Sequence, residues 1–243
     1  LILASYTLFN IFFLKLKKID KAHFLIDIKN SKEFYDFRSK EILEISPPNS
    51  SANFMHINNA RYSLTSLHRK SNVLYFEAIY YVLKPFLKTK RFECLESNDN
   101  FVNEILEAHQ EYYNDSYYIY KVALWMLDFL NIKTLLSLDD SRYSNEINIA
   151  SKDLNIKTIG YMHGIFNEYD LGIFEFPFDK YLVWSDYFKE KVLRISNKHK
   201  EHNILVLGHF RINEKLEEVK EKKNILWLGE SNINYEEVFP FIN

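Results

Sequence analysis

The sequence predicts an α/β fold built on a parallel sheet. From residue 133 onward, short apolar segments typical of strands alternate with segments whose apolar residues recur at helical spacing. This alternation is typical of parallel strands joined by right-handed helical crossovers. All glycines lie in this part of the chain, at positions 160, 164, 172, 208 and 229. Because glycine serves where the backbone turns sharply or approaches a ligand, we expect ligand-facing turns after residue 159 and a packed scaffold before it.

Composition and charge fit a soluble globular chain and exclude several functional classes. Of the 243 residues, 47% are hydrophobic and 26% charged, so the chain can bury a full core. The formal net charge of −2 argues against nonspecific nucleic-acid binding, which needs a basic surface. Cys94 is the only cysteine, which excludes a disulfide framework and a cysteine-based zinc site within one chain.

Residues 1–14 form an apolar segment interrupted by single polar residues. The segment is shorter than the ~20 residues that a spanning helix needs, and it lacks the basic start of a signal peptide. Two interpretations stay open. The segment is either a buried strand or helix at the start of a domain, or a peripheral membrane contact, because Lys15, Lys17 and Lys18 follow it directly.

The remaining elements before residue 133 follow from apolar runs and turn residues. Residues 46–52 are rich in proline, serine and asparagine and predict a loop. An apolar run predicts a buried helix over residues 73–87, which Pro85 ends or kinks. A polar residue at 114–116 is expected to cap a separate helix over residues 116–130. Strands are predicted at residues 22–28 and 54–57, and a helix at residues 101–109.

The part of the chain after residue 133 supplies most of the predicted sheet. Ser185 is expected to cap a helix that runs to Arg194, and another helix is expected to end at about residue 153. A charged stretch at residues 213–223 is either a crossover helix or an interdomain linker. The predicted strands are at residues 134–138, 157–162, 180–184, 203–207 and 224–228.

The candidate site lies where these strands end, because ligands of open parallel sheets bind beyond the carboxyl ends of the strands. His163 follows the strand at 157–162 and precedes Gly164. An imidazole with a pKa near 6.5 suits proton removal from a hydroxyl, so His163 is either a general base or a residue that bonds a neighbouring loop. Asp140 either orients His163 or an acceptor hydroxyl, or caps the following helix.

Further residues at the strand ends are candidates for substrate binding. Arg142 is either a site residue or part of a surface ion pair, and Arg211 either binds a phosphate or carboxylate or is solvated. Gly229 and Ser231 open a predicted helix, whose backbone N–H groups are candidates for binding an anion.

No metal site is predicted, because the polar stretch with His199 and His202 shows no third ligand and is expected to be a solvated loop. The chain also lacks the glycine patterns of dinucleotide sites and P-loops.

Segments after residue 156 carry a family resemblance. They are KTIGYMHGIFNEYDLG (157–172), FDKYLVWSDYFKEKVL (178–193), ILVLGHFRINEKL (204–216) and KKNILWLGES (222–231). In order and spacing they resemble bacterial surface-polysaccharide and teichoic-acid transferases of the GT-B kind, a group that includes CDP-glycerol glycerophosphotransferases and capsule glycosyltransferases. The chain departs from the family pattern at Phe210, where proline is usual, and at Asn213, where an acid is common.

The resemblance implies two Rossmann-like domains that face each other across a cleft, each a parallel sheet with helices on both faces. Residues 1–212 correspond to the acceptor-side domain, residues 213–223 to a linker, and residues 224–243 to the start of an incomplete nucleotide-sugar-binding domain. The chain begins with leucine and ends soon after the last predicted strand, so we expect a fragment.

The resemblance also implies a cytoplasmic transferase of cell-envelope polysaccharide synthesis, peripheral at the inner face of the membrane. Its donor would be a nucleotide-activated sugar or CDP-glycerol, and its acceptor a glycan or lipid-linked hydroxyl, with no cofactor and no nucleic-acid partner. The histidine of the family's His-Gly motif maps to His163, as the base on the acceptor hydroxyl, and the arginine after the glycine maps to Arg211.

Other functions compete with this one. A UDP-sugar 2-epimerase-like enzyme shares the two-domain plan but needs a histidine and an arginine after the first strand of its second domain. This chain has Gly-Glu-Ser-Asn at residues 229–232, which favours the transferase. A truncated domain that binds a glycan or a partner without catalysis is the third possibility, and it predicts that the gene lacks the missing domain of ~150 residues.

Overall fold

The computed structural model describes residues 1–25, 51–55, 57, 72–88, 100–138, 144–162 and 178–208. All of them belong to one compact unit, Leu1–Arg211. The predicted linker at residues 213–223 and the predicted second domain at residues 224–243 lie outside the described residues. The domain organisation therefore stays a prediction.

The described strands form one seven-stranded parallel sheet in the order β3-β2-β1-β4-β5-β6-β7. They are β1 (Lys21–Leu25), β2 (Ala52–Met55), β3 (Val73–Leu74), β4 (Thr134–Leu138), β5 (Lys157–Tyr161), β6 (Lys180–Val183) and β7 (Ile204–Val206). The chain moves outward from β1 to β3 in one direction and from β4 to β7 in the other. This is the doubly wound order of a Rossmann-like sheet, which confirms the predicted fold class.

Helices precede and connect these strands. Those described are α1 (Ile2–Leu16), α2 (Phe76–Leu83), α3 (Asn100–Leu130), α4 (Ser144–Asp153) and α5 (Asp186–Ile195), with 3₁₀ turns at Lys84–Phe86 and Glu201–Asn203. Helix α4 joins β4 to β5, and α5 joins β6 to β7, so these two crossovers are helical as predicted. Helix α5 follows Ser185 as expected, although the Ser185 side chain makes no capping hydrogen bond.

The largest buried cluster lies between the sheet and the helices α1 to α4. Ala22, Phe54, Leu74 and Leu135 share one face of the sheet by register, and they are buried in this cluster together with Met126 of α3. All four residues of β2 are buried. Because successive side chains of a strand point to opposite faces, both faces of the sheet are covered at β2.

A single helix, α3, occupies the region where two helices were predicted. Asn114, Asp115 and Ser116, expected to cap the second of them, lie inside α3 and bond neighbours instead of the backbone of a new helix start. Asp115 accepts a hydrogen bond from the Tyr80 hydroxyl of α2, and the Ser116 hydroxyl donates to the Glu146 carboxylate of α4 over 2.6 Å. The partners of Asp115 and Ser116 lie on other helices, and the Asn114 side chain donates to the Gln110 carbonyl within α3 over 3.0 Å, so none of the three marks a helix start.

The prediction of one helix over residues 73–87 is wrong, because the first two of these residues pair with β2 as the strand β3. This strand also contacts a segment that is distant in sequence: the side-chain amide of Asn10 in α1 donates to the Val73 carbonyl over 2.9 Å. The Pro85 prediction is confirmed: Pro85 lies in the 3₁₀ turn that follows α2.

The segment at residues 1–14 is a helix with two different sides. On the buried side, the Thr7 hydroxyl donates to the Leu3 carbonyl over 2.8 Å and accepts from the Tyr75 backbone N–H over 3.0 Å. The other side exposes large apolar residues, Phe9 and Phe12 among them. In the described ranges, no helix is long and apolar enough to cross a membrane.

Candidate functional site

The strand order places the candidate site at the carboxyl ends of β1 and β4. These two strands are neighbours, and the chain moves away from them in opposite directions. In doubly wound sheets, the reversal leaves a crevice outside the carboxyl ends of such strands, where ligands bind. The connections that leave this edge, residues 26–50 and 139–143, lie outside the described residues.

Strands β4 and β5 are also neighbours, and their ends are in register. Leu138, the last residue of β4, pairs with Tyr161, the last residue of β5. Asp140 and His163 each follow two residues after this pair in the sequence. The prediction that the two strands lie side by side is therefore confirmed. Asp140, Arg142, His163 and Gly164 themselves lie outside the described residues, and their proximity stays a prediction.

Two hydrogen bonds hold the backbone of Met162, the residue directly before His163. The Met162 N–H donates to the Leu182 carbonyl of β6 over 2.9 Å, and the Met162 carbonyl accepts from the Trp184 indole N–H over 3.0 Å. Trp184 is half-buried and packs edge-on against Phe188 at 5.9 Å between ring centroids. Sequence reasoning missed this positioning role; a tryptophan at the carboxyl end of a predicted strand was its only signal.

The remaining predicted binding residues follow the end of β7. Gly208, two residues after this strand, has a φ of +80° with open space where a Cβ would lie, which supports the predicted sharp turn there. Arg211, Gly229 and Ser231 lie outside the described residues. Their predicted roles are therefore untested.

Gly160 leaves space for a neighbouring side chain in the core and does not form a ligand-facing turn. It lies inside β5, where a Cβ would come within 2.3 Å of the Phe178 ring. Phe178 in turn stacks on Tyr181 at 5.8 Å between ring centroids. Gly160 lies in the strand predicted at residues 157–162, and its missing side chain makes room for an aromatic ring in the core, so it is not one of the ligand-facing turns expected after residue 159.

His199 was predicted to lie in a solvated loop, and this is wrong. It is 4% exposed, its Nδ1 lies 2.9 Å from the Ser196 hydroxyl, and its ring is 5.5 Å from that of Tyr181. Burial, with a smaller contribution from the nearby Lys152 ammonium, lowers the pKa of His199 to about 4. The aromatic partner, distant in sequence, makes this a core histidine, whereas His202 is exposed as expected.

A second buried histidine lies in β1. The Nδ1 of His23 is 3.2 Å from the Ser51 hydroxyl, which donates to the Asn53 side-chain oxygen over 3.3 Å. Burial lowers the pKa of His23 to about 4, although its hydrogen bond to Asn53 acts in the opposite direction. His23 is therefore neutral at neutral pH. Because it is 3% exposed, it is placed to connect β1 to β2 and not to meet a substrate.

Across the described residues, no group of three or more histidine, cysteine, aspartate or glutamate side chains is arranged to hold a metal ion. No protein-family model matches the chain, and no curated protein matches it.

Proposed function

We propose that this chain is the acceptor-side part of a GT-B-type transferase in bacterial surface-polysaccharide synthesis. The enzyme would move a sugar, or a glycerophosphate, from a nucleotide-activated donor to a glycan or lipid-linked hydroxyl at the inner face of the membrane. One observation carries the proposal. The ends of β4 and β5, which Asp140 and His163 follow in the sequence, lie in register at one edge of a doubly wound sheet.

The proposed step is a single displacement. The acceptor oxygen forms a bond to the anomeric carbon of the sugar, or to the phosphorus of the glycerophosphate, while the bond from that atom to the nucleotide oxygen breaks. The leaving nucleotide keeps the electron pair, and His163 accepts the proton of the hydroxyl. Asp140 orients the imidazole. Arg142 binds substrate beside them.

The charge that develops on the leaving nucleotide requires cationic or N–H groups nearby. Arg211 is proposed to bind a donor phosphate, and the backbone N–H groups at Gly229 and Ser231 to bind the anion at a helix start. Gly164 lets the backbone approach the substrate closely. This function rests on fold-level analogy and on the family resemblance of the sequence, together with the strand arrangement.

To test the proposal, the full-length protein is incubated with nucleotide-sugars and CDP-glycerol, and the release of free nucleotide is measured. A positioned base contributes roughly 10²–10⁴-fold to rate, so we expect His163→Ala to lower kcat by that factor. The exposed His202 provides the matched control, and His202→Ala should leave kcat unchanged. Equal turnover of wild type and His163→Ala would reject the assignment, and isomerisation of UDP-sugar without an acceptor would favour the epimerase.

A further inference from the structure

Helix α1 and the end of α3 carry an exposed apolar surface, which we name the α1 face. Phe9 and Phe12 are 69% and 63% exposed. Large contiguous apolar patches on a protein surface mark interaction sites, whereas single exposed apolar residues are normal. The described members of the α1 face are Ile2, Leu8, Phe9, Phe12, Phe13, Leu16, Trp125 and Phe129.

An apolar groove of about 420 Å³ lies within this face, between α1, α2 and α3. Leu8 and Trp125 both line the groove and belong to the α1 face, so the two features are continuous. Val82 and Val122 contribute aliphatic walls, and Lys121 is the charged residue among its lining. The volume lies within the range of small-molecule sites, and its lining suits an aliphatic chain.

Cationic side chains border the aromatic residues of the α1 face. Lys15, Lys17 and Lys18 lie at the end of α1, and residues 1–18 contain no aspartate or glutamate. The Lys17 ammonium lies 4.4 Å from the centroid of the Phe13 ring, and Lys15 donates to the Phe129 carbonyl. Phenylalanine and leucine flanked by lysine are typical of helices that lie in the membrane interface, where lysine attracts anionic headgroups.

The length of α1 limits the orientation that the helix can take relative to a bilayer. Its 15 residues extend over ~22 Å, less than the ~30 Å of a hydrocarbon core. Its buried side is also committed to the protein through Thr7 and Asn10. Helix α1 therefore suits a position in the plane of the interface, with only its exposed side in contact with lipid.

We propose that the α1 face binds the surface of a bilayer that contains anionic lipid. The apolar side chains insert among the acyl chains, Lys15, Lys17 and Lys18 contact headgroup phosphates, and the groove accepts one acyl chain. The inference rests on the peripheral membrane location in the proposed function, but not on transferase chemistry. A second copy of the chain fits less well, because residues 1–18 of that copy offer three lysines and no carboxylate, and Asp128 is the single acidic residue of α3 between positions 116 and 130.

Cosedimentation of the full chain with vesicles tests the proposal without donor or acceptor. One set of vesicles contains phosphatidylcholine alone, and the other contains equal amounts of phosphatidylcholine and phosphatidylglycerol. We expect tighter binding to the anionic set, weakened by high salt and by Lys17→Gln/Lys18→Gln. The double variant Phe9→Ser/Phe12→Ser should weaken binding by about tenfold or more. Tyr187→Ser, at an equally exposed aromatic residue of α5 (65% exposed), should bind like wild type.

The groove has a readout of its own. Lipids brominated on their acyl chains should quench the fluorescence of Trp125, and Trp125→Phe should remove this quenching. The proposal is overturned if Phe9→Ser/Phe12→Ser binds vesicles like wild type, or if neither vesicle set binds the chain. A dimer that dissociates in the same variant, without vesicle binding, would assign the face to a second copy. Transfer to a soluble acceptor, measured separately, shows whether the enzyme proposal fails independently.

Discussion

The β1–β3 side of the sheet and the β4–β7 side are stabilised over very different sequence distances. On the β1–β3 side, Asn10 bonds Val73 across 63 residues, and Thr7 bonds Tyr75 across 68. On the β4–β7 side, Thr158 bonds Asp179 across 21 residues, and Trp184 bonds Met162 across 22. The cited bonds on the second side each lie within one strand-to-strand connection, whereas β3 bonds to α1, which is far away in the sequence.

This difference explains where the sequence analysis succeeded. All four strands from β4 to β7 were predicted, because each is a short apolar run bounded by turn residues. The errors in predicted elements, at residues 73–87 and 114–116, fall before β4 and involve partners distant in sequence, whereas the error at His199 concerns the burial of a side chain. The following experiments weaken one side at a time, or both together.

The largest effect is expected from pH, because each side contains a buried histidine. Burial holds the pKa of His23 and of His199 at about 4, below the ordinary value near 6.5. Between these values the unfolded chain binds a proton that the folded chain does not. The free energy of unfolding is therefore fully maintained above about pH 6.5 and falls as the pH drops toward 4.

At pH 5 the expected loss is about 2 kcal/mol per histidine, measured as a lower urea midpoint than at pH 7. His199→Gln and His23→Gln should each remove part of this pH dependence. His202→Gln, at an exposed position, should leave it intact. A urea midpoint in the wild type that does not change between pH 7 and pH 5 would contradict the burial of both residues.

Gly160→Ala probes the β4–β7 side alone. The new Cβ would overlap the Phe178 ring, and overpacking of a filled core costs about 1–3 kcal/mol. Phe178→Leu in the same chain should relieve part of this cost, so the double variant should be more stable than the sum of the two single changes predicts. Gly208→Ala is the control, since it meets no atom within 4 Å and only its φ of +80° opposes the change. Phe178→Leu should leave the cost of Gly208→Ala unchanged, and a cost of Gly160→Ala that Phe178→Leu does not reduce would argue against the ring contact.

Thr7→Val probes the β1–β3 side. The substitution keeps the side-chain shape but removes the hydroxyl that accepts from the Tyr75 N–H. Loss of such a buried bond should lower the free energy of unfolding by about 1–2 kcal/mol, measured by urea denaturation. Thr7→Ser retains the hydroxyl and should cost less than Thr7→Val. The opposite order would mean that Thr7 acts through its methyl group.

The smallest change in global stability is expected from Trp184→Phe. The ring is retained while the bond to the Met162 carbonyl is lost, which should cost about 0.5–1.5 kcal/mol. Hydrogen exchange at the Met162 amide should accelerate, because the strand end before His163 becomes less constrained. Trp125→Phe, on α3, should leave that exchange unchanged. Unchanged exchange in Trp184→Phe would remove the positioning role assigned to the indole.

The candidate site was less predictable than the fold, and for a physical reason. A strand end can be located from hydrophobic pattern, and this placed His163 and Asp140 after two strands that the structure pairs in register. The groups that hold such a strand end in position are distant in sequence, so the local sequence pattern does not indicate them. The Trp184 indole that bonds the Met162 carbonyl follows β6, and the ring that packs on His199 belongs to Tyr181 of β6. The pattern of side chains in the sequence indicates which chemistry a residue can perform. Only the tertiary contacts show which groups hold that residue in position.

The distance from α1 to its partners also affects how the chain emerges during synthesis. Lys15 leaves the ribosome 114 residues before Phe129, its partner on α3. At ~5–20 residues per second, α1 waits roughly 6–23 seconds for that helix. The buried side of α1 can be covered earlier, because Val73 and Tyr75 follow their partners Asn10 and Thr7 by 63 and 68 residues, whereas the side that meets α3 stays uncovered for the whole interval. The β4–β7 units, in contrast, can close within a short time of their own translation.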